Sequence, residues 1–386
     1  MLIKKISYKN KSDENKNWKY EGLEFKNINL VVGYNSTGKT RTLASLRILS
    51  DLLSRRIKIK KASEEFEVLL EDLEDTYNYK LEYEKGIIKN ESLKINDKLK
   101  LKRMSNEEGW IYSEKLGSKL DFSISNNELA VIAKRDKIQH PFLEKLIQWG
   151  NNSIFYDFAS KMGRNFVPSF ENIKVDGELN DINLNLKNTN AVVGHLKYAI
   201  EKYGKKMINK IVGQMKELGY FIEDINVDPL PNFPADELEI DDIPYSIWVK
   251  EKDLSGKTYQ SEMSQGMFRA LSLIIQTNLC AFEKRSDLFI IDDIGEGLDH
   301  NRSRILIKQL IDTAENSNIQ LLMATNDRYV MNNIPLKYWQ IIQRENGNCK
   351  FFNYLNSKEI FDEFEFTGLS NFDFLSTEFY LGEDII

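Results

Sequence analysis

The sequence predicts an α/β fold: a mixed sheet with flanking helices, an antiparallel β-subdomain and a small helical lobe. Three observations predict it. First, the apolar run Ile28–Val32 leads through a glycine-bearing loop into a helical pattern, Leu43, Leu46, Leu49, Leu52 and Leu53. That is a buried strand, a turn and an amphipathic helix. Second, residues 66–132 alternate apolar with polar, as in Tyr79-Lys80-Leu81-Glu82-Tyr83 and Leu120-Asp121-Phe122-Ser123-Ile124. This is the period of antiparallel strands with one wet face. Third, Leu288-Phe289-Ile290-Ile291 is apolar without alternation and closes on Asp292 and Asp293, which suits a strand buried on both faces.

The loop after the first apolar run reads Gly33-Tyr34-Asn35-Ser36-Thr37-Gly38-Lys39-Thr40. It fits G-x-x-x-x-G-K-[ST] in full. Backbone N–H groups of such a loop face one anion, and the helix N-terminus adds partial positive charge. Gly33, Asn35, Ser36, Thr37 and Gly38 form the cradle. Lys39 reaches the β- and γ-phosphates, and the Thr40 hydroxyl ligates Mg²⁺. An ordinary glycine-rich turn is the alternative; the dry strand before the loop and the helix after it favour a nucleoside triphosphate site.

Composition bounds the rest. The chain has 386 residues, 41% of them hydrophobic, enough for a large core in two lobes. Its net charge of −6 gives no overall electrostatic footprint for nucleic acid, so any such contact needs a local patch or a partner. Cys280 and Cys349 are the only cysteines, which suits a reducing cytoplasm and gives no disulfide framework. No apolar run is long enough to span a membrane, and the N-terminus lacks a signal-type apolar segment. A cytoplasmic protein with no membrane contact is expected.

In chain order, strands are expected over residues 2–8, 23–25 and 28–32, with a polar turn over 9–17, then a helix from Lys39 to about Arg55. The basic run Arg55-Arg56-Ile57-Lys58-Ile59-Lys60-Lys61 either completes that helix by favouring its dipole or forms a nucleic-acid patch. Lys98, Lys100 and Lys102 mark a solvated strand face. Residues 141–150 read as helix, 154–158 as strand, and 190–218 as a helical hairpin broken at Gly204. The acidic, proline-containing stretch 224–244 reads as a connector. The expected domains are 1–135, an N-terminal lobe with the β-subdomain; 136–250, a helical and mixed lobe; 251–345, a C-terminal lobe; and 346–386, an aromatic-rich tail. There is no internal repeat and no heptad array.

The second half supplies more chemistry. Asp292 would bind Mg²⁺, directly or through water, and Asp293 would orient or deprotonate an attacking water; two acids capping the next element is the alternative. Upstream, Met263-Ser264-Gln265-Gly266-Met267 precedes a long apolar helix. Serine and glycine at a helix start make a second anion-binding terminus. One site has no need of two such termini, but a head-to-tail dimer does.

The order of phosphate loop, Ser-x-Gly, apolar strand with acids, then Gly297-Leu298-Asp299 resembles the ABC-type ATPases, more narrowly their soluble RecF/SMC/OLD-like branch. "INLVVGYNSTGKT" and "EMSQGMFRALSLI" carry the likeness, which covers about residues 1–60 and 255–345. The resemblance implies a P-loop ABC-type ATPase head using ATP and Mg²⁺. It implies that Ser264 and Gly266 meet the γ-phosphate of a partner subunit with Gln265 in the same cofactor-binding stretch, that Asp299 is the interface-loop aspartate, and that Asn326 stands at the switch position after the strand 319–324. Two departures bear on rate. The family's usual Glu is Asp293 here, one methylene shorter. Its usual His is Asn326, which can donate a hydrogen bond but carries no charge. Glu296 is a second candidate base. Gln139 and Gln148 are candidates for the glutamine loop, and Asn10 and Lys11 for the adenine contact.

SMC-like members have long coiled-coil arms, and OLD-type members carry a nuclease domain after the ATPase; the 47 residues given after Trp339 are expected to be too few for one. A bare head resembles the ATPase subunits of prokaryotic anti-phage defence, implying a slow or triggered dimeric ATPase that holds a separate effector, a nuclease or toxin. A RecF-like clamp that grips DNA directly is the alternative. The tail aromatics Phe361, Phe364, Phe366, Phe372, Phe374, Phe379 and Tyr380 either pack back on the core or present a dock to another protein.

Overall fold

The computed structural model describes residues 1–11, 17–73, 75–104, 107–160, 162–168, 186–231 and 244–382. Parts of the polar turn read over 9–17 and of the connector read over 224–244 lie outside these residues. The chain divides into two compact units, residues 1–153 with 286–290 and 320–386, and residues 154–285 with 291–319. Residues 136–153 thus belong to the first unit, and 251–345 are divided between the two.

The first unit is built on a mixed sheet. Its strands are β1 (Leu2–Asn10), β2 (Trp18–Glu24), β3 (Ile28–Val32), β4 (Glu64–Asp72), β5 (Asp75–Glu84), β6 (Ile87–Ile95), β7 (Lys98–Arg103), β8 (Glu108–Ser113), β9 (Ser118–Ser123), most of β14 (Leu288–Asp292), β15 (Gln320–Ala324), β16 (Trp339–Glu345) and β17 (Asn348–Asn353). In space they run β14-β15-β3-β16-β17-β2-β1-β4-β5-β6-β7-β8-β9. β3 is parallel to both neighbours, β15 and β16, and every one of its residues is buried. From β1 onward the order is an antiparallel meander, the wet-faced subdomain expected from the alternation.

Turn chemistry sets the meander's register. Lys85-Gly86 and Asn96-Asp97 each have positive φ at both positions, the geometry whose twist matches flanking strands; Asn346-Gly347 does the same in the β16–β17 hairpin. β2 begins at Trp18 rather than at Leu23, because Trp18 and Tyr20 bury their rings, 2% and 1% exposed, against Tyr8 of β1.

Helix α1 (Lys39–Leu53) covers the sheet with Leu43, Leu46, Leu49 and Leu53, all fully buried. Short α2 (Ala130–Ala133) is followed by α3 (Phe142–Asn151). At Gly150 a Cβ would sit 2.8 Å from Leu53 Cβ, so this glycine lets α3 lie against α1. After α8 (Arg328–Asn333) the tail forms α9 (Lys358–Glu365) and α10 (Asn371–Ser376). Phe361, Phe364, Phe374 and Tyr380 are buried in edge-to-face and tilted contacts. Among the described tail aromatics only Phe366 stands out, 91% exposed; the rest pack back.

The second unit holds most of β10 (Ser153–Asp157), helices α4 (Val192–Tyr203), α5 (Lys205–Glu217), α6 (Gln265–Phe282) and α7 (His300–Glu315), and a sheet of β11 (Ile222–Pro229), β12 (Tyr245–Glu251) and β13 (Thr258–Tyr259). Gly204, at φ 54 and ψ −138, breaks α4 from α5. β11 corrects the connector expected from 224: Ile222 and Ile225 are fully buried, and the strand pairs antiparallel with β12. α6 is the core of this unit, buried from Gly266 to Cys280.

Candidate nucleotide-binding site

The first unit carries the phosphate loop. β3 delivers it and α1 leaves it, with Gly38 at φ 111 as the residue before the helix. Ser36 is also left-handed, at φ 65. Gly33 has no room for a side chain, since a Cβ would lie 2.8 Å from both Cγ2 and O of Ile342. Behind Gly38, the Trp18 indole would be 3.1 Å from a Cβ. A loop pressed this closely onto its support offers backbone, not side chain, to an anion.

Lys39 is 7% exposed. Its Nζ donates to Gly33 O at 2.7 Å and Tyr34 O at 3.0 Å, which holds the ammonium across the loop. Asn35, Ser36 and Thr40 are exposed. Thr37 Oγ1 donates to Tyr34 O at 2.8 Å, and Arg344 Nη1 donates to Ser36 O at 3.2 Å. Below the loop, the Cys349 thiol lies 3.8 Å from Thr37 O, and burial pushes its pKa up to about 11. From the tail, α10 reaches the same loop: Tyr34 Oη donates to Leu375 O at 3.2 Å.

Asn326 follows β15 in the same unit and is exposed; the next residue, Asp327, caps α8 by accepting from Tyr329 N at 2.7 Å. Lys11 is held by Glu65 and Glu82, both at 2.8 Å, and Asn10 ends β1. Gln139 accepts Glu114 N through its carbonyl at 2.9 Å, and Gln148 is exposed on α3.

The second unit carries the remaining predicted residues. Asp292 ends β14, 6% exposed, and its carbonyl accepts Phe158 N at 3.1 Å. Asp293 is half-buried at φ 53, a conformation that aspartate tolerates better than most residues. A tight turn follows, Glu296 N to Asp293 O at 3.1 Å, with the Glu296 side chain exposed.

Ser264 caps α6, accepting Met267 N on its hydroxyl at 3.2 Å. Ser264 and Gln265 are exposed and Gly266 is buried. A Cβ on Gly266 would come within 2.7 Å of Gly297 O, so the glycine seats the start of α6 directly on the 293–298 turn. Asp299 caps α7 through Arg302 N at 3.0 Å and pairs with Arg302 Nη1 at 3.2 Å. Arg302 also donates to Leu218 O at 3.1 Å and lies 4.2 Å above the Tyr220 ring.

The principal residue that sequence reading missed is Arg269. It sits 5% exposed within apolar α6, donating to Ser160 O at 2.9 Å, Glu296 O at 2.9 Å and Ala159 O. Burial lowers its pKa from the usual arginine value, while Glu296 and Asp157 oppose that shift. The available signal was a charge inside an apolar helix, which must find partners when buried.

A loop of this shape, entered from a dry parallel strand and left through a helix, makes the protein a P-loop ATPase-fold protein. The chain belongs to the family described as "AAA domain, putative AbiEii toxin, Type IV TA system", whose model matches residues 28–332. No curated protein matches it in sequence. Among solved structures it is similar to the Smc head domain with an extended coiled coil bound to the C-terminal domain of ScpA from Pyrococcus furiosus: 12% identity, 94% of this chain and 99% of that one, TM-score 0.49. It is also similar to the SMC head domain from Thermotoga maritima, at 12% identity over 91% of this chain and 98% of that one, TM-score 0.44.

Proposed function

We propose that this protein hydrolyses ATP as a nucleotide-gated dimer and serves as the regulatory subunit of an anti-phage or toxin–antitoxin system, controlling a separate nuclease or toxin. The observation that carries the ATPase reading is Lys39, buried across a loop whose Gly33 position has no room for a side chain. The defence role draws on the family's description as a type IV toxin–antitoxin protein.

The roles follow from chemistry. The loop 33–40 takes the triphosphate. Thr40 and Asp292 are hard oxygen donors of the kind Mg²⁺ prefers, and bound Mg²⁺ would offset charge on the phosphates. In hydrolysis a water oxygen bonds to the γ-phosphorus, the bond to the β–γ bridging oxygen breaks, and the water's proton passes to Asp293. Glu296 is the reserve base. Asn326 donates a hydrogen bond to the γ-phosphate. Ser264, Gln265 and Gly266 close the partner's nucleotide, with Asp299 beside them at the interface. The exposure of Ser264 and Gln265 supports that assignment. The two buried, unbridged cysteines suit a cytoplasmic location.

Asp293→Asn tests the reading, because an amide cannot take the proton. Sedimentation should show the variant more associated with ATP than with ADP, with no phosphate released. A variant that turns over at the wild-type rate, or whose association is the same with saturating ATP as with ADP, would exclude it.

A further inference from the structure

The loop between α9 and α10 is built to hold an apolar side chain in water. Phe366 N donates to Glu363 O at 3.2 Å, Thr367 N to Phe364 O at 3.0 Å, and Leu369 N to Thr367 Oγ1 at 3.2 Å. Ser370 and Asp373 close a capping box on α10. The neighbouring rings, Phe361, Phe364 and Phe374, are buried, so the base of the loop is fixed. Yet Phe366 is 91% and Leu369 54% exposed. Glu363 and Glu365 are exposed beside them. The feature is a rigid apolar knob in an acidic setting.

Elsewhere in the same unit lies a cavity of the opposite character. Its volume is about 440 Å³, and Ile57, Ile59, Leu129 and Ile132 are among its walls. Arg55 and Lys58 are at its rim, with Glu128 the one acidic residue there. Arg55 is left-handed at φ 59, and its Nη2 donates to Ile132 O at 2.8 Å, which holds the rim in place. Arg56, Lys60 and Lys61 extend the positive charge along the chain. Pockets of about 300–1,000 Å³ enclose groups larger than one aromatic ring, so Phe366 and Leu369 fit together. The high exposure of Phe366 shows that it does not fill this cavity in its own chain.

We infer that the occupant is a second copy of this chain: the Phe366–Leu369 knob of one copy enters the Ile57–Ile132 cavity of the next, with Glu363 and Glu365 facing Arg55 and Lys58. Apolar anchor and charge are complementary at once, which is the arrangement of an energetic centre in an interface. Knob and cavity are different surfaces, so the contact is heterologous, and its repetition builds a ring or a filament. It needs no nucleotide, unlike an ATP-closed dimer, and does not depend on the function proposed above.

Sedimentation velocity on the full chain without nucleotide, over a concentration series, tests this. Wild type should associate beyond a dimer. Phe366→Asp and Ile59→Glu should each weaken association roughly tenfold or more. Mixed together they should stop at a one-to-one pair, since each variant keeps one half of the contact. Glu365→Lys and Lys58→Glu should each weaken association, and the double variant should recover it; these surface changes keep the test open if Ile59→Glu fails to fold. A wild type that remains monomeric, a Phe366→Asp protein that associates normally, or a double charge reversal no better than either single one would overturn the inference. So would a cavity filled by a co-purified small molecule whose removal leaves association unchanged.

Discussion

Arg269 Nη1 donates to the carbonyl oxygen of Glu296 at 2.9 Å. The bond fastens the helix that starts at Ser264 to the turn that follows Asp293. With two further carbonyls on the same guanidinium, the geometry is a fork that lysine cannot reproduce. Arg269→Met should destabilise the protein by about 3 kcal/mol, because buried acceptors lose their donor. Arg269→Lys is the sharper variant. ATP affinity at the loop should stay within about twofold while turnover falls roughly tenfold, a loss of transition-state positioning rather than of binding. Unchanged turnover in a folded Arg269→Lys protein would mean that the fork does not position Asp293.

Turnover should be slow, below roughly 10 s⁻¹, the middle of the enzyme range. Asp293 is a short carboxylate and Asn326 cannot carry charge. Asp293→Glu or Asn326→His should raise phosphate release, or at least not lower it. A wild-type rate in the hundreds per second would contradict the proposed roles.

Sharing of sites between subunits can be read by complementation. Lys39→Ala disables a loop, and Ser264→Arg blocks the helix start that would face a partner's nucleotide. A heterodimer of the two has one doubly defective site and one intact site, so mixing the inactive proteins should restore part of the activity. If both fold and associate but mixing restores nothing, ATP occupancy per heterodimer decides between unshared sites and a need for two live ones.

Acid sensitivity should trace in part to Glu283, at the end of α6. Burial alone would raise its pKa, but hydrogen bonds from Lys202, Tyr203 and Tyr198 outweigh burial and hold it below the usual carboxylate value. The stability it contributes is therefore full above the unfolded glutamate pKa, about 4.3, and is lost as pH falls through the lower folded value. Glu283→Gln should cost about 1–2 kcal/mol at pH 7 in denaturant titrations. The difference from wild type should vanish once the carboxyl is protonated in both states. A difference that persists unchanged in acid would assign the effect to packing.

The phosphate loop was legible because its chemistry is local: strand, glycines, lysine and helix are contiguous. The meander was legible for the same reason, since alternation and positive-φ turns lie within a few residues of each other. β11 was not. Asp224 and Asp228 read as connector, and only pairing with β12 and burial of Ile222 and Ile225 make it a strand. Arg269 and the Tyr34–Leu375 bond were hidden for a related reason: their partners lie 27 and 341 positions away, beyond any periodicity.

The position of β3 between β15 and β16 ties the loop to the order of synthesis. Both neighbours are made roughly three hundred residues after it, so at about 5–20 residues per second the wait is on the order of 15–60 s. Throughout that interval β3 has two open edges, and Gly33 lacks the Ile342 backbone it will rest on. An unfinished or prematurely terminated chain should therefore carry the motif without its support and fail to hold nucleotide. Ribosome-bound chains arrested before residue 320 should fail to retain labelled ATP, whereas chains extended well past residue 353 should retain it. Retention by the shorter chains would show that the loop seats itself without its flanking strands.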